Sequence, residues 1–380
     1  MTNLQLENIV RQYDTIVVWG NNPVGKYIIG NMVSGLKDRT VILCDNDRKK
    51  QNAVDGIVVI SSKEAEELYA NALWILTSKS FESVMREELY ISGIAENQIV
   101  LGITDEIQEY LVKERAREKR TPLSKIQFEI DIVEHCNLDC NCCSQFAAIA
   151  EPGFIDLDEL KQDLLRLSLL FGGEAERIYL IGGEPLLHPE LDRCMEIARA
   201  AFPIGKISVF TNGLLLKKMG ESFWNSCRQN DIGIIVTKYP IEMDYVALEG
   251  YVRERGVSFE LFGASNDFKY MENLGLDITG KQSAEDSFTR CVEANNCIKL
   301  KRGRLYTCTR PAAIYKFNKY FNLNLEVNER DYIDIYKAKT AEEILDFLCK
   351  SIPFCRYCNK NGDLVSRKWG HSSKNIEEWT

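Results

Sequence analysis

The residues of this chain best suited to chemistry are its cysteines, and their densest run is Cys136-Asn-Leu-Asp-Cys140-Asn-Cys142-Cys143. It follows directly on a strand-like stretch, Phe128 to Val133. Four thiolates close an iron-sulfur cubane and leave no iron open. The spacing Cys136-x3-Cys140-x2-Cys143 offers three, which keeps one coordination position free, and an open iron implies reactivity. Zinc is the competing reading, since it takes four closed nitrogen or sulfur ligands, usually in Cys-x2-4-Cys pairs. Cys142 is either an extra ligand or a buried thiol, the latter being favoured.

Cys291, Cys297, Cys308, Cys355 and Cys358 form a second set. Cys355-x2-Cys358 taken alone suits a zinc ribbon as well as iron. Cys44, Cys194, Cys227 and Cys349 stand singly in apparent strands or helices and read as small buried hydrophobes.

The elements that must position these thiols alternate. From Lys125 the pattern predicts strands over 127–133, 177–181, 206–210 and 232–236, with helices over 156–171, 189–201 and 215–229 between or after them. Strands alternating with helices imply a parallel sheet, and ligands on such sheets lie beyond the carboxyl ends of the strands. The motifs fall there: the cysteine run after the first strand, Gly182-Gly-Glu-Pro185 after the second, Thr211-Asn-Gly213 after the third and Thr237-Lys-Tyr-Pro240 after the fourth.

The triad spacing followed by Gly-Gly-Glu-Pro resembles the radical S-adenosylmethionine (SAM) enzymes. That resemblance implies a 4Fe-4S cluster held by Cys136, Cys140 and Cys143, whose open iron chelates SAM, and a 5'-deoxyadenosyl radical that removes hydrogen from an unactivated carbon. It also implies that Gly182, Gly183 and Glu184 receive the SAM ammonium and that an external one-electron reductant such as flavodoxin or ferredoxin is needed. Thr211, Asn212 and Thr237 become candidates for ribose or carboxylate hydrogen bonds, though each also suits a cap or turn. His135 and His188 lack ligand spacing and read as packing or capping residues. Cys291-x11-Gly303-x4-Cys308 with Cys355-x2-Cys358 resembles the twitch domain, a relative of the SPASM extension, which implies an auxiliary 4Fe-4S cluster on Cys291, Cys308, Cys355 and Cys358. Cys297 is left unassigned and is a candidate catalytic thiol. The fold implied is a central partial (β/α)6 barrel over 125–285 with a small cluster domain over 286–380.

Upstream, Thr15 to Trp19, Gly20-Asn-Asn-Pro-Val-Gly25 and a second strand ending at Asp45-Asn-Asp47 read as strand, glycine turn, helix, strand and acid. That layout opens a Rossmann unit, in which a helix N-terminus receives phosphate. Asn22 stands where the middle glycine of G-x-G-x-x-G belongs, which argues against a redox nicotinamide role. Residues 1–110 resemble the Rossmann-like domains attached to polysaccharide-biosynthesis enzymes, some of which read nucleotide-sugars; a docking or dimerisation role is the alternative. Residues 111–124 form a charged helical connector.

The 380 residues suggest two or three domains. No run of eighteen apolar residues occurs, and the first residues lack a signal-peptide pattern, so a cytoplasmic enzyme is expected. Thirteen cysteines against three histidines favour thiolate-bound metal in a reducing compartment over a disulfide framework. A net charge of -9 disfavours a general nucleic-acid binder. The resulting expectation is a sugar, cyclitol or nucleotide-sugar epimerase or dehydrogenase, probed against two others: a peptide-modifying maturase and a nonenzymatic iron-sulfur carrier.

Overall fold

The computed structural model describes residues 1–33, 38–47, 50–51, 57, 59–78, 81–107, 110, 126–263, 269–360 and 365–380. The connector expected over 111–124 lies outside the described residues. The chain divides into two compact units, Met1–Ala116 and Arg117–Thr380.

In the first unit five parallel strands, Thr15–Trp19 (β1), Thr40–Cys44 (β2), Val59–Ile60 (β3), Leu73–Leu76 (β4) and Ile99–Leu101 (β5), lie in the order β3-β2-β1-β4-β5. This is the strand order of doubly wound nucleotide-binding sheets. The central strands are unbroken apolar runs because both faces are covered: Ile16 and Val18 pack on one side, Val17 and Trp19 on the other.

The second unit holds an eight-stranded sheet. Gln127–Val133 (β6), Arg177–Gly182 (β7), Lys206–Thr211 (β8), Ile232–Thr237 (β9) and Phe259–Phe262 (β10) run parallel in sequence order. A short antiparallel pair, Tyr270–Glu272 (β11) with Ser366–Lys368 (β15), stands apart from it. The expected six-strand succession therefore continues for five strands only. The sixth parallel position is filled by Lys299–Lys301 (β12), on the opposite edge beside β6, followed antiparallel by Arg304–Tyr306 (β13) and Ile333–Asp334 (β14). The barrel is not closed. Charge explains the placement of β12: the Lys299 ammonium lies 2.5 Å from Asp131 and 2.9 Å from Glu129 of β6, and a buried lysine is tolerated only where it is paired. β12, β13 and β14 thus belong to the same sheet as the triad strand.

One face of the sheet is apolar. Phe128, Ile130 and Ile132 of β6 pack against Leu160, Leu164 and Leu167 of the helix Leu157–Leu170, whose i, i+4, i+7 spacing makes one stripe. Asp156 starts that helix by accepting from the N–H groups of Asp158 and Glu159, both at 2.9 Å. The helix expected over 215–229 is interrupted: a turn at Leu216–Lys218 ends before Gly220, and the helix proper is Glu221–Gln229. Cys44, Cys194 and Cys227 are buried, whereas Cys349 is half-buried at a helix end.

The carboxyl ends of β6 and β7 are pressed together. Gly183 N–H donates to Val133 at 2.7 Å and Glu184 N–H to His135 at 2.9 Å. Gly182 has φ +136°, and a Cβ on Gly183 would lie 1.8 Å from the His135 oxygen. These glycines are required by the approach of one backbone to another. Gly183→Ala is expected to cost roughly 3 kcal/mol, the upper range for overpacking, read as a lower urea midpoint with little change in slope.

Candidate functional site

The triad loop is a tight reversal. Asp139 and Cys142 adopt φ of 49° and 53°, left-handed values that cost a residue other than glycine unless the surroundings fix them. The fixing groups come from the far end of the sequence. Asn141 N–H donates to Gly370 at 2.9 Å, Ser372 N–H to Asp139 at 2.6 Å, and the Trp379 indole to the Cys143 carbonyl at 3.0 Å. His371 Nδ1 lies 2.9 Å from the Leu138 carbonyl. Beneath the loop Phe146, Phe317 and Trp379 share one aromatic cluster.

Cys136, Cys140 and Cys143 are near enough for the charge of one to act on another. Burial pushes the Cys136 thiol up to about 11, although the Leu138 N–H at 3.4 Å from its sulfur pulls the other way. Burial, then the charge of Cys143, push Cys140 up to about 12, against donors from Trp369 and Tyr239. Cys142 is buried, within reach of the charges of Glu378, Arg367 and Cys143. Among the described residues no His, Cys, Asp or Glu group of three or more closes round a single metal ion; a cubane holds its thiolates further apart than one ion does.

Glu184 sits at the base of this loop, 1% exposed. Its carboxylate accepts from Thr211 Oγ1 at 2.6 Å, from Leu186 N–H at 3.0 Å and from Asn212 N–H at 2.9 Å. Asn212 Nδ2 in turn donates to Asn137 at 2.8 Å and approaches the Cys136 sulfur at 3.7 Å. Glu184, Thr211, Asn212 and Cys136 are therefore brought together, and Thr237 is buried at the end of β9. His135 accepts from Gly153 N–H, while His188 is buried and accepts from Glu190 N–H at 3.0 Å.

The second thiol set also converges in part. Burial first, then the charges of Cys291, Cys358 and Cys355, hold Cys308 well above the ordinary thiol value. Arg310, fully buried, donates to the Cys358 sulfur at 3.2 Å and pairs with Glu293 at 3.0 Å. Cys297 leads into β12 beside the segment that carries Cys308, and is raised first by burial and then by the charges of Glu129 and Glu293, the latter acting on Cys308 as well, with a hydrogen bond to Glu129. Register places Cys308 toward the amino end of β6, whereas the Cys358 backbone bridges to Leu276, whose N–H donates to Trp379 beneath the triad loop. Lys299 faces both Glu129 and Tyr306, and Cys308 follows Tyr306 on a strand running the other way.

In the first unit, Asn22 Oδ1 accepts from Gly25 N–H at 3.0 Å and its amide donates to Thr77 at 2.8 Å. Asp45 accepts from the N–H groups of Asn21 and Asp47 at 2.9 Å each. The glycine turn and its acid thus satisfy one another.

Sequence reasoning missed Trp369, His371, Trp379, Asn137, Glu293 and Arg310. Tyr239 lies in a strand-end motif quoted from sequence, but no local signal marked its hydroxyl.

Residues 130–237 match the Radical SAM superfamily, and the chain carries a radical SAM domain, whose family cofactors are a 4Fe-4S cluster and SAM. The chain is similar to the GTP 3',8-cyclase of Chlorobaculum tepidum, 34% identical over 89 residues, 23% of this chain and 26% of that protein. A probable GTP 3',8-cyclase of Methanocella arvoryzae is 35% identical over 97 residues, 26% of this chain and 30% of its own. The chain thus spans less than a third of the length of these curated relatives. Among solved structures, BtrN in complex with AdoMet and 2-DOIA is 17% identical and covers 62% of this chain and 93% of its own, with a TM-score of 0.38. Native anSMEcpe with bound AdoMet is 13% identical and covers 61% and 82%, also with a TM-score of 0.38. The residues fit the family's cluster: three soft thiols converge, and burial penalises their thiolates unless a cation compensates. No helix among the described residues is long and apolar enough to cross a membrane.

Burial holds the Glu184 carboxyl at about 6 against the donors from Thr211, Asn212 and Leu186, compared with 4.5 when free. The folded protein binds this proton more tightly than the unfolded chain. Its contribution to stability is thus fully present below pH 4.5 and lost as pH rises through 6, a change of ~2 kcal/mol. Urea unfolding at pH 4.5 and 7 should show this slope, and Glu184→Gln should remove it. A cation brought to that carboxylate lowers its pKa, so SAM affinity should rise from pH 5 to 7 in the parent protein and stay flat and weaker in Glu184→Gln.

Proposed function

We propose that the chain is a radical SAM enzyme acting at a carbinol carbon of a sugar, cyclitol or nucleotide-sugar, as an epimerase or dehydrogenase. When bound, the cluster and SAM supply hydrogen-atom abstraction; the protein supplies the placement of substrate. The observation that carries the substrate class is the inner face of the sheet. With Phe128, Ile130 and Ile132 turned to the helices, the alternate residues of β6 turn the other way, and they are Glu129 and Asp131. Lys299 joins them, and Lys301 pairs with Glu134 at 2.7 Å. Asp131 Oδ2 is buried without a hydrogen-bond partner. A buried acceptor without a donor is costly, and a hydroxyl-rich ligand would satisfy it. Incubation with SAM, dithionite and panels of cyclitols, nucleotide-sugars, GTP and peptides tests the class. A substrate from the first two that accelerates 5'-deoxyadenosine release supports it; acceleration by peptide or GTP alone overturns it.

Cys291, Cys308, Cys355 and Cys358 are proposed to hold an auxiliary 4Fe-4S cluster, with the buried Arg310 offsetting its negative charge. Reconstitution should give about eight iron atoms per chain, four per cubane. Changing Cys136, Cys140 and Cys143 together to Ala should remove the SAM-responsive half. A total near four, or zinc in the natively purified protein, would sink the auxiliary cluster.

Cys297 is proposed as the hydrogen donor of an epimerase. Its thiol lies by Glu129, on the face that carries Asp131, and burial among carboxylates keeps it protonated. Cys297→Ala should keep both clusters and still form 5'-deoxyadenosine while losing the inverted product that carries deuterium from deuterated water. Normal inverted product from that variant refutes the donor role, and loss of the auxiliary cluster would make Cys297 a ligand. Residues 1–110 are proposed to read a nucleotide-sugar, and a flavodoxin or ferredoxin in the cytoplasm to supply the electron.

A further inference from the structure

One sulfur of the triad receives donors from two distant places in the chain. The Trp369 indole N–H points at Cys140 Sγ from 3.3 Å, and the hydroxyl of the half-buried Tyr239 donates to the same sulfur. The two rings lie 6.0 Å apart. Trp369 is delivered by a segment tied to the loop on both sides of that cysteine: Asn141 Nδ2 donates to Lys368 at 2.9 Å, the Cys140 and His371 backbones bridge, and Ser372 N–H reaches Asp139. Neither donor carries charge, and an indole N–H can only donate.

We propose that Trp369 and Tyr239 set the reduction potential of the SAM-binding cluster through hydrogen bonds to the Cys140 sulfur, with residues 366–380 as the element that holds Trp369 there. Hydrogen bonds to cluster sulfurs and exclusion of solvent are among the protein's means of tuning such potentials. A donor stabilises negative charge on sulfur, and the reduced cluster carries one more negative charge than the oxidised one. Each donor therefore favours the reduced form, and removing one makes the cluster harder to reduce. Trp369 is a positioning and tuning residue; nothing in its contacts makes it a ligand.

The inference rests on the triad being the ligand set. The test uses the full reconstituted chain and an EPR-monitored potentiometric titration, following the signal that changes on adding SAM. Trp369→Phe keeps an aromatic ring and removes the N–H; Tyr239→Phe removes only the hydroxyl. Each is expected to retain the iron content of the parent and to lower the reduced-to-oxidised ratio at a fixed potential about tenfold, which for a one-electron couple is about 59 mV. An unshifted midpoint in an iron-replete variant overturns the proposal. If Trp369→Phe loses iron, the midpoint of Tyr239→Phe decides. Absence of any SAM-responsive signal in the parent protein would instead refute the triad as ligand set.

Discussion

The contact on which the site depends is the close approach of two backbones at the carboxyl ends of β6 and β7. Gly183 and Glu184 donate to Val133 and His135, and only residues without a Cβ at 182 and 183 allow that separation. From this contact the rest follows in steps. It aims the triad loop off the end of β6, it carries the Glu184 carboxylate inward to bind β8 through Thr211 and Asn212, and Asn212 returns to Asn137 and Cys136. Three strand ends are thereby fixed to one another by backbone and side-chain hydrogen bonds, most of them shielded from water. A metal cluster held at such a junction inherits its rigidity.

Much of this was legible locally. The strand at 127–133 was marked by alternating apolar residues and that at 232–236 by an isoleucine- and valine-rich run, and the motifs at their carboxyl ends announced a parallel sheet. The glycines of Gly182-Gly-Glu-Pro185 were visible too, but not the particular backbone they lie against, that of Val133 and His135. The place of β12 was beyond local reading, because three residues bearing two lysines carry little strand signal. Its position is set by carboxylates some 170 residues away on β6. The break before Gly220 was missed because apolar periodicity continued through it while the backbone did not.

The two thiol sets meet the cost of buried charge differently. At the triad the donors nearest the sulfurs are neutral: the Leu138 amide, the Asn212 side chain, the Trp369 indole and the Tyr239 phenol. At the second set a guanidinium, itself buried and paired with Glu293, reaches the Cys358 sulfur. A formal positive charge stabilises an added electron more than a neutral dipole does at the same distance. The triad is thus surrounded by neutral donors and the second set by a guanidinium–carboxylate pair.

The hydrogen bond from Trp369 to Cys140 joins residues 229 positions apart, and that from Trp379 to Cys143 joins residues 236 apart. During synthesis the triad loop leaves the ribosome long before its partners exist. At roughly 5–20 residues per second, the interval is on the order of tens of seconds. Throughout that time three thiols and two left-handed residues lack the segment that fixes them in the finished protein. The nascent chain thus presents this loop unlatched, and it is fixed only once residues 369–379 have emerged and docked on it.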